Sequence, residues 1–213
     1  MIPKLHYISQ GNSNKEHLEN IQKACNSGAE LVQLRLKNIS DKKLLKFAHE
    51  AREVTSHFQT RLIINDHYKI AIEVKADGVH LGKSDPCPTE ARKLLYTWQI
   101  IGGTANTLEE CQKLIEKEVD YISLGLFRFT ETKENLPPAL GLNGYAAILD
   151  VLNTETPILG VGGITTEDIP SILETGISGV AVSAAITRDF NTIRIFNQLL
   201  NASSTAEQRY TFE

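Results

Sequence analysis

The 213 residues hold no apolar run of membrane-spanning length, no basic cluster and only three cysteines. Each shortage removes a class of function. A transmembrane helix needs about 20 consecutive apolar residues, so a membrane-spanning protein is not expected. With a formal net charge of -4 and no Lys/Arg run, neither nucleic acid nor a membrane surface is an expected partner. Cys25, Cys87 and Cys111 are widely spaced. They fit neither a disulfide framework nor a zinc pattern, which points to a reducing compartment. The opening MIPKLHYISQGN runs straight into strand-like sequence without a signal-peptide pattern. The expectation is a soluble, cytoplasmic protein. His6, His17, His49, His57, His67 and His80 show no metal-ligand spacing. His80 reads as a core or barrel-layer residue, and His67, beside Asp66, is the histidine of most interest. No Ser/His/Asp or Cys/His nucleophile set is legible.

What is present is alternation. A hydrophobic content of 41% over this length supports one large domain or two small ones. Strand-like segments are Lys4–Ser9, Glu30–Leu36, Leu62–Asn65, Gly78–Leu81, Gln99–Gly103, Tyr121–Gly125, Pro157–Val161 and Gly179–Ser183. Helical periods fall at His17–Ser27, from Ser40 or Asp41 to His57, and briefly within His67–Asp77. Others start at Pro88 or Thr89, span Thr107–Lys117 and Leu142–Leu152, start at Thr166 or Asp168, and span Asp189–Leu200. A polar loop covers Leu126–Leu140, and Asn201–Glu213 forms a polar tail. Eight strands alternating with eight helices predict a parallel sheet with crossover helices. In so short a chain they predict a (β/α)8 TIM barrel over residues 1–200, a single domain. A doubly wound open sheet is the alternative, but the first strand lacks the Gly-rich turn that often marks it. The barrel exterior leaves room for a homo-oligomer without specifying one.

Barrel enzymes do their chemistry at the carboxyl ends of the strands. Asp66 and Asp85 follow strands three and four closely. Two carboxylates on one rim suit Mg2+, which takes one or two protein carboxylates and fills its octahedron with water and phosphate oxygens. The competing reading is local: Asp66 capping the next helix and Asp85 starting a turn before Pro86. Gln33, Arg35 and Lys37 share one face of strand two and can serve a heterocycle edge and an anion, or form a solvated edge. Thr104 can bind phosphate or cap the helix from Thr107, and capping is the simpler role. Thr130, Thr132 and Lys133 lie in a long loop where barrels often carry lids, and Arg128 reads as an exposed cation. Gly162–Gly163 and Ser183–Ala184 follow strands seven and eight, where barrel phosphate sites are frequent. The inventory is a diphosphate site, with Arg35, Lys37, Lys133 and a cation on Asp66 and Asp85, and a monophosphate site of main-chain N–H groups. It implies transfer chemistry in which diphosphate leaves, assisted by metal and cations, without a covalent enzyme intermediate.

These residues fall in motifs that resemble the thiamine phosphate synthase (thiamine-phosphate pyrophosphorylase) family. The motifs are VQLRLK (Val32–Lys37), IND (Ile64–Asp66), ADGVHLGKSD (Ala76–Asp85), IGGTANTLEE (Ile101–Glu110), FTETK (Phe129–Lys133), VGGIT (Val161–Thr165) and GVAVSAAI (Gly179–Ile186). The resemblance spans Lys4 to about Leu200. It implies a cytoplasmic transferase of thiamine biosynthesis acting on two small molecules. An aminopyrimidine diphosphate would ionise to a methylene cation, which the nitrogen of a thiazole phosphate, or of its carboxylated form, captures. It further implies that Gln33, Leu34, Arg35, Leu36, Lys37, Asn65, Thr104 and Lys133 hold the pyrimidine diphosphate. Thr130, Glu131, Thr132, Gly163, Ser183 and Ala184 would hold the thiazole phosphate, and Asp66 and Asp85 would hold Mg2+. The chain departs from the family pattern at Thr104 (commonly Ser), Leu126 (commonly Pro) and Ala184 (commonly Ser, here displaced to Ser183). A thiazole tautomerase on the same barrel, using His67 or His80, and a non-catalytic binder of thiazole phosphate are the rival readings. Retention of Asn65, Asp66, Asp85 and Lys133 favours the synthase.

Overall fold

The structure is a computed structural model that describes residues 1–129 and 138–202. The strands are β1 (Leu5–Ile8), β2 (Leu31–Leu34), β3 (Arg61–Asn65), β4 (Gly78–Leu81), β5 (Ile100–Ala105), β6 (Tyr121–Gly125), β7 (Ile158–Val161) and β8 (Gly179–Val182). The helices are α1 (Asn14–Asn26), α2 (Asp41–His57), α3 (Tyr68–Glu73), α4 (Pro88–Arg92), α5 (Leu108–Glu116), α6 (Gly141–Val151), α7 (Ile169–Glu174), α8 (Ala184–Arg188) and α9 (Thr192–Leu200). Each strand pairs in parallel with the next, and β8 returns to β1 through Leu5↔Val180, His6↔Ala181 and Tyr7↔Val182. The barrel is closed. Parallel strands buried on both faces explain why LVQL, GVHL and GVAV read as nearly continuous apolar runs. Among the described residues, no helix is long and apolar enough to cross a membrane.

Polar side chains set the starts of some helices ahead of the apolar period. Ser13 Oγ accepts the Glu16 N–H at 3.2 Å, so α1 begins at Asn14 and not at His17, as its apolar spacing predicts. Thr107 caps α5 in the same way, accepting the Glu110 N–H at 3.3 Å. The last helix starts at Thr192, three residues beyond the predicted Asp189. There Asp189 Oδ1 accepts the Asn191 N–H at 3.0 Å and the Asp189 carbonyl accepts Thr192 Oγ1–H at 2.7 Å, closing a turn first. Helix α8, absent from the sequence reading, occupies part of the space between β8 and that turn. Strand β5 runs to Ala105, beyond the predicted Gly103, because Thr104 and Ala105 still pair with Ser123 and Leu124.

Two aspartates repeat one device on the opposite ends of the strands. Asp77 Oδ2 accepts Arg52 Nη1 at 2.6 Å and the Leu62 N–H at 2.8 Å. Asp120 Oδ2 accepts Arg92 Nη2 at 2.6 Å and the Ile101 N–H at 2.7 Å. Each carboxylate ties a helix to the start of a strand and satisfies a backbone donor. Inside the barrel, Gly102 lets the Tyr121 ring lie against its backbone, and a Cβ there would collide with that ring. His6 stands edge-on to Tyr121 with ring centroids 4.9 Å apart.

Candidate active site

A cavity of about 610 Å³ opens at the carboxyl ends of the strands. Strand alternation sorts the residues of β2 and its exit. Gln33, Arg35, Leu36 and Lys37 line the cavity, whereas Leu34 is turned into the apolar core. Asn65, Asp66, Asp85 and Thr104 line the same space, and so do Gly163, Ser183 and Ala184. Closure of the barrel therefore gathers the described residues expected at both anion sites, Leu34 apart, along one cavity. Thr130, Glu131, Thr132 and Lys133 lie outside the described residues.

Asp66 does not cap α3. That position belongs to His67, which makes no side-chain cap bond. Asp66 sits in the left-handed region at φ 65°, and its N–H bonds the His80 carbonyl at 2.8 Å. Burial, a hydrogen bond to Asp85 and the Asp85 charge push the Asp66 carboxyl up to about 7, against the opposing pull of Arg35 and Lys37. Two carboxylates within hydrogen-bonding reach repel when both are charged, which favours keeping a proton on one of them. Asp85 also serves its turn, with Oδ2 accepting the Gly82 N–H at 2.6 Å. Asp85 thus closes the turn from Gly82 and does not start one before Pro86. Among the described residues, no group of three or more His, Cys, Asp or Glu gathers as a metal cluster. A pair of carboxylates open to a cavity fits a hard cation that completes its shell with water and phosphate.

Arg35 is largely buried, which draws its guanidinium below the ordinary arginine range, while Asp66 pulls it back up. Its backbone is held from β1: the Arg35 N–H donates to Ser9 Oγ at 3.0 Å, and Ser9 Oγ lies 2.8 Å from His17 Nδ1. Ser9 thereby links the Arg35 backbone to the His17 ring. Burial lowers the His17 pKa, against a hydrogen bond to the Gly11 backbone that raises it. Ser9, Gln10 and His17 all line the cavity and were not among the site residues expected from sequence. The signal was available, since SQGNSN follows the first strand at the same rim.

Thr104 is not a cap, because Thr107 fills that position itself. Its Oγ1 lies 2.8 Å from His80 Nε2, and His80 Nδ1 lies 3.1 Å from the Tyr121 hydroxyl. Tyr121 also bonds Gln33, and burial keeps its phenol protonated. The chain Thr104–His80–Tyr121–Gln33 thus fixes the orientation of two cavity groups from beneath. His80, read as a layer residue, is both a layer residue and part of the wall. His67 is not part of that wall. Its Nδ1 lies 3.8 Å from Asp41 Oδ1.

At the other end, Gly162 and Gly163 take φ of 105° and 64°, which glycine adopts without a Cβ penalty. Ser183 precedes α8, and its Oγ donates to Gln10 Oε1 at 3.3 Å. The serine hydroxyl is therefore engaged with the loop after β1. Ala184 presents main chain at the start of α8, where N–H groups lack intrahelical partners. Leu126 is buried and lines the cavity, filling the position read as a departure with apolar surface. Arg128 is exposed, as read from sequence, and it is also engaged. It is bound to Asp168 and to the Gly163 carbonyl.

The family described as "Thiamine monophosphate synthase" matches residues 5–186. The chain is 44% identical over 202 residues to the thiamine-phosphate synthase of Flavobacterium johnsoniae, covering 93% of this chain and 95% of that one. It is 39% identical over 200 residues to the thiamine-phosphate synthase of Bacteroides fragilis, covering 92% and 98%. Among solved structures, the thiamine phosphate pyrophosphorylase of Pyrococcus furiosus superposes with a TM-score of 0.78 at 26% identity, covering 92% of this chain and 96% of that one. A closed parallel barrel, a cavity walled by the motif residues and matches that run nearly end to end lead to one assignment: the chain belongs to the thiamine monophosphate synthase family.

Proposed function

We propose that the protein is a thiamine phosphate synthase. It joins 4-amino-2-methyl-5-hydroxymethylpyrimidine diphosphate to 4-methyl-5-(2-phosphoethyl)thiazole, or its 2-carboxy form, and releases diphosphate and, from the carboxylated form, CO2 as well. The observation that carries the reading is the meeting of Asp66, Asp85 and Arg35 in one cavity with the Gly162–Gly163 and Ser183–Ala184 turns. The cavity is large enough for two small substrates end to end, since ligand pockets commonly run from about 300 to 1,000 Å³. Asp66 and Asp85 would hold Mg2+, which when bound supplies positive charge to the diphosphate oxygens. Arg35 and Lys37 stabilise the same departing charge from the protein side, and a buried guanidinium does so more strongly than a solvated one. Gln33 and Asn65, both buried in the wall, orient the pyrimidine edge. Thr104, held by His80, contributes a fixed hydroxyl. Lys133 is proposed to face the leaving oxygens, and Thr130, Glu131, Thr132, Gly163, Ser183 and Ala184 the thiazole phosphate. The bond from the pyrimidine methylene to diphosphate breaks first, and the thiazole nitrogen lone pair then forms the new bond. The proposal takes small-molecule substrates and places the protein in the cytoplasm.

The test is product formation from the two substrates with Mg2+ and with EDTA. Thiamine phosphate and diphosphate are expected with Mg2+ and not with the chelator. Asp85→Ala is expected to keep the fold and lower kcat by at least about 100-fold, the scale of a lost electrostatic partner in a transition state. Full activity in EDTA or in Asp85→Ala removes the metal assignment. Thiazole phosphate binding without product turns the reading toward a non-catalytic binder or the tautomerase.

A further inference from the structure

The Arg128 side chain lies behind the Gly162–Gly163 turn. Its own N–H donates to the Gly162 carbonyl at 3.1 Å. Its Nη1 donates to the Gly163 carbonyl at 3.0 Å and to Asp168 Oδ2 at 2.9 Å, and Nη2 pairs with Asp168 Oδ1. The guanidinium stands 4.9 Å from the centre of the Phe127 ring. Asp168 in turn accepts the Thr165 N–H at 2.8 Å and Thr165 Oγ1–H at 3.0 Å. The fit between partners is close, since a Cβ at Gly163 would run into the Arg128 stem. In a planar trans peptide the N–H points opposite to the C=O. With the carbonyls of residues 162 and 163 both drawn toward Arg128, the N–H groups of Gly163 and Ile164 face the other way. Gly162, Gly163 and Ile164 line the cavity, whereas Arg128 and Asp168 do not. Neither N–H meets an acceptor among the described residues. Successive free N–H groups of this kind form an anion-binding concavity.

We propose that Arg128 is a positioning residue for the phosphate end of the cavity. It acts through the backbone, aiming two main-chain donors at a phosphate monoester without touching the ligand. The inference rests on the proposed function only in taking that monoester to be the thiazole phosphate. Its charge is spent on Asp168, so the gain at the ligand is directional and not a long-range attraction.

Equilibrium binding separates this from the catalytic reading, because it needs no turnover. Calorimetry with the thiazole phosphate and with the unphosphorylated thiazole alcohol, in Mg2+ and diphosphate, is run on wild type, Arg128→Met and Arg128→Lys. Methionine keeps apolar stem contact and removes every side-chain donor. It is expected to weaken the phosphate about tenfold, as for loss of one well-aligned hydrogen bond to a charged group, and to leave the alcohol unchanged. Lysine, with one cationic head and no fork, is expected to fall between. Should Arg128→Met fail to fold, Asp168→Asn releases the guanidinium while leaving an acceptor for Thr165, and the same selective loss is expected. Equal weakening of phosphate and alcohol, or no weakening, overturns the inference. So does a wild type that binds the phosphate no better than the alcohol, whether or not it makes product.

Discussion

Asp66 and Asp85 show what a working site asks of individual residues. Their carboxyl groups share a half-buried space, and Asp66 is pushed up to about 7 by burial and by its neighbour. A charged Asp66 is therefore disfavoured in the folded protein when no cation is bound. Asp66→Asn is expected to raise the melting temperature at pH 8 in EDTA while abolishing metal-dependent turnover. A variant that is both less stable in EDTA and fully active would contradict the site. The residue types and the spacing told that these two aspartates belong together. They did not tell that Thr104 bonds His80, nor that Ser9 and His17 hold the backbone of Arg35. Those links join β4 to β5 and β1 to β2, and a side chain carries no mark of its distant partner.

At the scale of elements, central strands were legible because both faces are buried, which leaves an apolar run that ends at a polar or Gly-rich turn. Ends were less so. Helix α8 spans five residues, too few for an apolar period to repeat. The start of α1 depends on a Ser13 cap placed before three polar residues that carry no period. Between elements, Asp120 joins α4 to β5 by bonding Arg92 and the Ile101 N–H with one oxygen. Asp120→Ala leaves that N–H unpaired and frees Arg92. It is expected to cost about 1–3 kcal/mol, the penalty of an unsatisfied part-buried donor, read as a lower urea midpoint with unchanged m-value. An unaltered midpoint would mean that the bond is replaced by water at no loss.

The whole molecule stands on closure. Pairing of β8 with β1 buries His6 inside the barrel against Tyr121, with its Nε2 lacking a partner among the described residues. Burial lowers its pKa from 6.5 to about 3, with Arg61 adding to the fall and a bond to the Pro3 backbone opposing it. The folded state binds this proton less readily than the unfolded state. His6 therefore contributes stability that is full above pH 6.5 and is lost as pH falls toward 3. Denaturant titrations from pH 7 to pH 4 are expected to show a shallower acid loss for His6→Phe than for wild type. Parallel curves would place the acid sensitivity elsewhere.

The order of strands and helices, the barrel class and most of the rim residues follow from sequence alone, because alternation, strand-end position and residue chemistry are local or periodic properties. Tertiary structure alone decided which face of each strand meets the cavity and which distant residues become partners. It turned Leu34 into the core while Gln33 and Arg35 face the cavity. It drew Thr104 into a strand, engaged Ser183 with Gln10, and set Arg128 behind the glycine turn. The physical reason is that hydrogen bonds between distant segments are chosen by distance and angle. Those become definite only when eight strands close on one another and bring the ends of the first and last into register.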